Sequence, residues 1–245
     1  MNSIIYIFCQ IIVCVLTLVL VAFSTYGLRI AFLSMKEDMQ KQNQVIKWVF
    51  RGLVSWLVIV AGLSLMGFYH DFEVLPPRIM LFGLFPPLAL GIYLTLFSKT
   101  FSKILQHIPP RWLIEVQSFR IVMELMLWLG FMGYFIPFQM TFVGFNMDII
   151  AGITALFAGY AFFGRGRVLK PESIIWNIFG IFLLINILFI ATISTPSIFQ
   201  VFKNEPANTF IAAFPFIWIP SFIVPFALAM HLFSLKQVLV LDSKV

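Results

Sequence analysis

One stretch of the chain mixes ionisable and apolar side chains at helical spacing. Residues 112–137 read WLIEVQSFRIVMELMLWLGFMGYFIP and carry Glu115, Gln117, Arg120 and Glu124 among hydrophobic neighbours. Arg120 and Glu124 are four apart and Gln117 precedes Arg120 by three, so on a helix the three share one face. A charge left unpaired at the centre of a span costs about 2.5–3.5 kcal/mol, so residues of this kind pair with one another and turn inward. The chemistry of such a stripe is that of a proton or cation site at Glu124, with Arg120 as its partner or as a contact for an anion. In an alternative arrangement the membrane begins near Phe119, Glu115 and Gln117 lie in the cytosol, and Arg120 snorkels to the interface.

Two further polar groupings stand out. His231 and Asn177 fall in the same cytoplasmic half as Arg120 and Glu124 in the topology derived below, which permits one polar cluster; each also lies close enough to the end of its span to be an ordinary interfacial residue. Asn186, nine residues after Asn177, points the opposite way round the helix and has the character of an interhelical hydrogen bond. The second grouping is expected on the outer side. It comprises Gln139, Thr141, Asn146 and Asp148 in FQMTFVGFNMDII, Lys203, Asn204, Glu205, Asn208 and Thr209 in FKNEPANTF, and His70, Asp71, Glu73 and Arg78. Because 139–148 is otherwise apolar, it is expected to dip into the membrane and make Asp148 a buried carboxylate. The plainer reading is a set of solvated loop ends.

Several chemistries are excluded. The histidines are His70, His107 and His231, two of them in loops, which does not suit a membrane haem. The chain lacks HExxH, a paired His/Cys cluster, a phosphate-binding glycine loop and GxSxG. Cys9 and Cys14 are five apart on one helix and point about 140° away from each other, so they cannot bridge. No metal and no cofactor is expected, and an enzyme is disfavoured. The lysine at the end of the last apolar run, Lys236, is badly placed for a retinal Schiff base.

The elements that must position these residues follow from composition. Of 245 residues 61% are hydrophobic and 11% charged, against about 25% charged in an ordinary soluble domain. A bilayer core needs about 20 apolar residues per helix. Such runs occur near 3–28, 48–69, 79–98, 113–137, 145–164, 173–195 and 209–235. The expected fold is therefore all-α: a polytopic bundle of seven transmembrane helices forming a single domain over 1–245. The amino terminus lacks a basic n-region and cleavage site, so the first run is read as a retained span. Of the sixteen Lys and Arg, thirteen fall on one side (29–51, 99–111, 165–170, 236 and 244) and two, Arg78 and Lys203, on the other. That asymmetry puts the amino terminus outside and the carboxyl terminus in the cytoplasm, and it reads the net charge of +6 as an orientation signal rather than a nucleic-acid footprint. Pro86 and Pro87 in the third span and Pro215, Pro220 and Pro225 in the seventh are expected to break those helices, and the carbonyls they free must find partners in the bundle.

The segments RWLIEVQSFRIVMELMLW, MTFVGFNMDIIAG and NEPANTFIAAFPFIWIP resemble strings found in uncharacterised seven-span inner-membrane proteins of bacteria. The resemblance implies a bacterial inner membrane and adds interest to Arg120, Glu124, Asn146, Asp148, Glu205 and Asn208; it implies no activity. By topology alone the chain is similar to SWEET and PQ-loop carriers, from which it departs in having no Pro-Gln dipeptide. These features lead to a multi-pass carrier for a small solute or ion, using the kinked third and seventh helices and the polar residues of the fourth. The alternative is a receptor or partner subunit that binds a lipid or small molecule without transport. A third reading, a lipid-directed enzyme using Glu124 or Asp148 with His231, lacks a recognisable catalytic constellation. The partners expected are the lipid bilayer and a small-molecule or ion ligand.

Overall fold

The computed structural model describes residues 2–36 and 38–241, with side chains as far as 239. Lys244, counted above for orientation, lies outside the described residues. Asn2 starts the first helix, its side-chain oxygen accepting from the N–H groups of Ile4 and Ile5. This helix, α1, spans Ser3–Met35 and ends at Lys36 in the left-handed conformation, φ 55°. Asp38 accepts from the Lys41 N–H and opens α2, Met39–Leu65. The polar stretch 34–47 thus extends both flanking helices and forms no domain of its own.

The third apolar run becomes α3, Phe85–Leu96, entered through a wide π turn at Ile79–Leu84. A short α4, Lys99–Leu105, follows at the Lys/Arg-rich end of the bundle, here called the basic end. The run expected at 113–137 is a rod of three pieces: α5, Pro110–Glu115, a 3₁₀ turn at Val116–Ser118, and α6, Phe119–Met132. It stops five residues early. Tyr134 is left-handed at φ 60°, and Phe135 and Ile136 both donate back to the Gly130 carbonyl, which closes the helix there. The chain then runs without regular helix, apart from a 3₁₀ turn at Phe138–Met140, until α7, Ile149–Phe163, returns to the basic end. Next come α8, Lys170–Ser194, and α9, Val224–Leu241, the latter entered through a second π turn at Ile219–Ile223.

Among the described residues six helices are long and apolar enough to cross a membrane, as expected of a multi-pass membrane protein: Ser3–Met35, Met39–Leu65, Ile79–Leu96, Ile149–Gly166, Lys170–Ser194 and Ile219–Leu239. The α5–α6 rod is not one of them, because Glu115, Arg120 and Glu124 leave no apolar stretch of sufficient length in it. The last run also begins later than the expected 209, at 219. Residues 210–218 instead form a buried irregular segment whose carbonyls are claimed by other helices: Ser64 Oγ donates to Ala212 O at 2.6 Å and Gln10 Nε2 to Phe214 O at 3.2 Å. Replacing Ser64 with alanine removes the first of these buried bonds and should lower stability by about 1 kcal/mol, read as a reduced melting temperature of the purified protein.

Two helices are irregular beside prolines, with a particular geometry. In each broken helix the π turn closes one residue before a proline: Phe85 N–H donates to Met80 O ahead of Pro86 and Pro87, and Val224 N–H to Ile219 O ahead of Pro225. A turn one residue wider leaves room for a ring that would clash with the carbonyl four residues back. Pro225 cannot donate to the Ser221 carbonyl, and Trp56 Nε1 supplies that bond at 2.8 Å. Pro220 lies inside the second π turn, whereas Pro215 lies before any helix, in the irregular segment, and breaks nothing. The two broken helices pack side by side in the same direction. Small residues make the approach possible: a Cβ at Gly83 would meet Ser221 Cβ at 3.7 Å, and one at Gly91 would meet Ala229 Cβ at 3.5 Å.

The main apolar core joins α1, α6 and α9 through residues such as Leu16, Leu20, Met126 and Phe226. Against this core α7 packs backbone to backbone. A Cβ on Gly152 would sit 2.8 Å from Ile121 N, and one on Gly159 would sit 2.9 Å from Arg111 O. Ala151, Ala155 and Ala158 complete the buried small-residue face of α7. This contact decides the site, because it brings the first turn of α7 against Arg120.

Candidate functional site

Arg120 leaves α6 almost fully buried, at 1% exposure. The helical spacing suggests Glu124 as its partner, but its carboxylate is Asp148, from the start of α7. Nε donates to Asp148 Oδ2 at 2.6 Å and Nη2 donates to Oδ1, a two-pronged contact that matches the guanidinium fork to the carboxylate plane. The cause is the Gly152 contact described above. Asp148 lies one turn before Gly152, and Gly152 touches the Arg120 main chain, so the two side chains meet across the α6–α7 seam. The opposite sign of charge is then supplied from 28 residues away. Asp148 and Asn146, expected with the outer grouping, therefore join Arg120, Glu124, His231 and Asn177 in one cluster.

The rest of the guanidinium is also satisfied. Nη1 contacts His231 Nε2 at 3.1 Å, and Nη2 reaches the Gly180 carbonyl at 3.4 Å. An arginine can only donate, so Nε2 of His231 accepts and its proton resides on Nδ1. That proton faces Asn177 Oδ1 at 2.9 Å. Asn177 Nδ2 in turn donates to Ser173 O at 2.8 Å and Ser234 Oγ at 2.9 Å. The chain Asp148–Arg120–His231–Asn177–Ser234 thus alternates donor and acceptor across α6, α7, α8 and α9, with a neutral imidazole at its centre. Trp176 packs on the imidazole at a ring-centre distance of 5.3 Å.

Glu124 is left without a cation. Its Oε1 accepts from Asn146 Nδ2 at 2.6 Å, while its Oε2 is buried with no hydrogen-bond partner among the described residues. Asn146 is the pivot of the irregular segment: it also donates to Met140 O at 3.1 Å, and its Oδ1 accepts from the Asp148 N–H at 3.0 Å. One amide side chain therefore holds the entry to α7 and contacts the odd carboxyl. Gln117 belongs to the same helix but reaches another neighbour. Its Nε2 donates to Ala227 O at 2.9 Å, and its Oε1 is buried with no partner among the described residues.

In the segment 139–148, expected to dip into the membrane, Gln139, Thr141, Asn146 and Asp148 are all buried within the protein. Its polar groups are claimed by neighbours, as hydrocarbon demands. Gln139 Nε2 donates to Ser194 Oγ at 3.0 Å and its Oε1 accepts from Asn204 Nδ2 at 2.9 Å, while Asn186 Nδ2 donates to Phe145 O at 3.0 Å.

Two candidate residues stand apart from the cluster. Asn208 is buried where α8 ends, its Nδ2 donating to Ala191 O and its N–H to Ser194 O, so it serves the carbonyls a helix end leaves open. Its Oδ1 has no partner among the described residues, and it lines a pocket of about 80 Å³ at the end of the bundle opposite the basic one, together with Asp71, Arg78, Thr192 and Pro220. Glu205 is exposed and accepts from the Ala207 N–H within its own loop. The loop geometry accounts for that contact, and Glu205 does not reach the cluster.

Gly180, Ser173 and Ser234 are parts of the site that residue chemistry alone did not select. Gly180 allows α9 to approach: a Cβ there would run into the His231 ring. Its signal in the sequence is a glycine in the middle of an apolar helix, where close helix packing is the usual reason. Ser234 lies three residues after His231, hence on the same face. Among the described residues no group of three or more His, Cys, Asp or Glu is arranged to hold a metal, and Cys9 and Cys14 are both free thiols.

No curated protein and no solved structure matches the chain. A family model does match, over residues 77–239, which include both proline-broken helices and every member of the cluster. Because that match covers more than half of its length, the chain belongs to the family described as a domain of unknown function, DUF8737.

Proposed function

We propose that the protein is an ion-coupled carrier for a small solute in a bacterial inner membrane. The α5–α6 rod serves as the fourth of seven spans, the amino terminus lies outside and the basic end faces the cytoplasm. The single observation that carries the carrier reading is Glu124. It is a carboxyl buried on the α5–α6 rod against the irregular entry to α7, hydrogen-bonded through one oxygen, with the nearby arginine already committed to Asp148. A lone carboxylate in an apolar bundle must take up a proton or a cation, and broken helices beside such a group are how coupled carriers build their sites. The pocket containing Asn208, bordered by both π turns, is the solute entrance in this reading.

The test is purified protein in liposomes with a trapped pH indicator, exposed to panels of small solutes. Wild type should show solute-dependent proton movement. Glu124→Gln keeps an oxygen for Asn146 but cannot exchange a proton, and its flux should fall to the level of empty liposomes at an unchanged melting temperature. A panel in which nothing moves, or a Glu124→Gln flux equal to wild type, overturns the assignment. A second reading, a receptor that binds a lipid without transport, is favoured by one observation, an apolar groove at the basic end.

A further inference from the structure

Glu124 and Asn146 meet in one orientation only. Asn146 Oδ1 accepts from the main-chain N–H of Asp148 at 3.0 Å, and a main-chain nitrogen can only donate, so the amide cannot be turned over. Its Nδ2 therefore faces the Met140 carbonyl at 3.1 Å and Glu124 Oε1 at 2.6 Å. Oε1 thus behaves as a carbonyl oxygen. Oε2 is buried and meets no donor among the described residues.

The charges around this carboxyl balance without it. Arg120 gives both prongs to Asp148, and its other contacts are His231 Nε2 and Gly180 O. His231 is neutral, because the nitrogen that faces Arg120 accepts. The remaining neighbours bring no counter-charge. α1, whose Cys9 Sγ lies 3.6 Å from Met126 O, carries no charged side chain before Arg29, and α8 carries none after Glu172. On α9, Lys236 is bonded to Thr95 O. An ionised Glu124 would add an uncompensated negative charge to a closed cluster and leave one of its oxygens bare. A buried charge without partners is far more costly than a buried hydroxyl in the same place.

A metal cation has no cage here. Hard cations gather several oxygen ligands, whereas Asn146 Oδ1 and Met140 O are already accepting and Glu124 is faced by amide hydrogens. Oε2 is the one uncommitted oxygen of the Glu124–Asn146 contact.

We propose that Glu124 rests as the neutral acid, with its hydrogen on Oε2, and that the ion exchanged at this site is a proton and not a metal cation. The identity of the coupling ion rests on the carrier reading; the neutral acid follows from the hydrogen bonds alone.

Infrared spectra of full-length protein in phosphatidylcholine bilayers at neutral pH test this. Wild type should show the carbonyl stretch of a protonated carboxyl group, displaced when water is exchanged for heavy water. Glu124→Gln should abolish the band, and replacing choline chloride with an excess of sodium chloride at constant pH should leave it unchanged. If no band is lost on Glu124→Gln, the neutral acid is overturned. A band that sodium removes overturns the choice of proton over metal cation. If Glu124→Gln fails to fold, wild type grown with carbon-13 carboxyl-labelled glutamate replaces it. Glu124 is the one buried glutamate among the described residues, so an isotope shift of the band supports the proposal and an unshifted band overturns it. The spectra read the carboxyl whether or not a solute moves. A solute panel without flux therefore overturns the carrier reading while the band persists, and a missing band with intact flux overturns the neutral acid alone.

Discussion

Arg120→Met should destabilise the protein by about 3–5 kcal/mol, because it leaves Asp148 buried without its counter-charge. Asp148 is 6% exposed and both its oxygens are directed at the guanidinium, so no water is at hand to replace the lost bonds. The arginine change also strips His231 Nε2 of its donor and Gly180 O of a contact. Removing both charges, as in Arg120→Met with Asp148→Leu, should recover much of the loss, since a buried pair replaced by apolar groups of similar volume is often close to neutral. Denaturant unfolding in mild detergent measures the cycle. Additive losses in the double variant would show that the two residues do not act as a pair. The same reasoning changes how Asp148 is to be used: Asp148→Asn damages the scaffold, so a drop in transport on that substitution says nothing about ion coupling. Glu124→Gln is the informative change because Glu124 holds no cation in place.

Gly180→Leu should cost about 1–3 kcal/mol or more, the usual range for forcing volume into a packed interior. The new Cβ would meet the His231 imidazole on the facing helix, and the ring sits between Arg120, Asn177 and Trp176 with no free side toward which to turn. Relief requires α8 and α9 to part, which breaks the contact from Arg120 to the ring. His231→Ala in the same chain makes room, so the pair of changes should be less harmful than their sum. Melting temperatures of the two single variants and the double report this directly, with Gly62→Leu as the control for a leucine placed in open space. If Gly180→Leu melts with that control, α8 and α9 do not meet at this point.

The proline breaks were legible before any coordinates, and their cause is local. A ring without an N–H cannot sit in a regular turn wherever it occurs in the chain, so Pro86, Pro87, Pro220 and Pro225 announce irregular helix from their own chemistry. What was not legible was the donor that repairs the break at Pro225, because Trp56 lies 165 residues from the carbonyl it serves. Helix ends were misjudged for a related reason. Hydropathy carried the fourth span to 137 and began the fifth at 145 and the seventh at 209. Residues 133–148 and 210–218 instead carry many buried side chains without forming an α-helix: in the first Asn146 serves the Met140 carbonyl and Gln139 reaches Ser194, and in the second Ser64 and Gln10 serve the carbonyls from other helices. An apolar run shows that a segment is buried; it does not show that the segment bonds to itself.

The same division holds for the cluster. Arg120, Glu124, Gln117, Asn146, Asp148, Asn177 and His231 declare themselves by type, because a polar side chain in an apolar stretch is costly wherever the fold carries it. The sequence by itself therefore determined that this is an all-helical chain with several segments apolar enough to span a bilayer, and which few polar side chains lie among them; both follow from composition over a local window. The pairing was decided only by the tertiary structure. Arg120 takes Asp148 and not Glu124 because the small face of α7 lets it lie directly on α6, and that contact lies between residues whose spacing along the chain carries no information about distance. Glu124 is consequently the carboxyl left over, a fact of packing that no helical wheel displays.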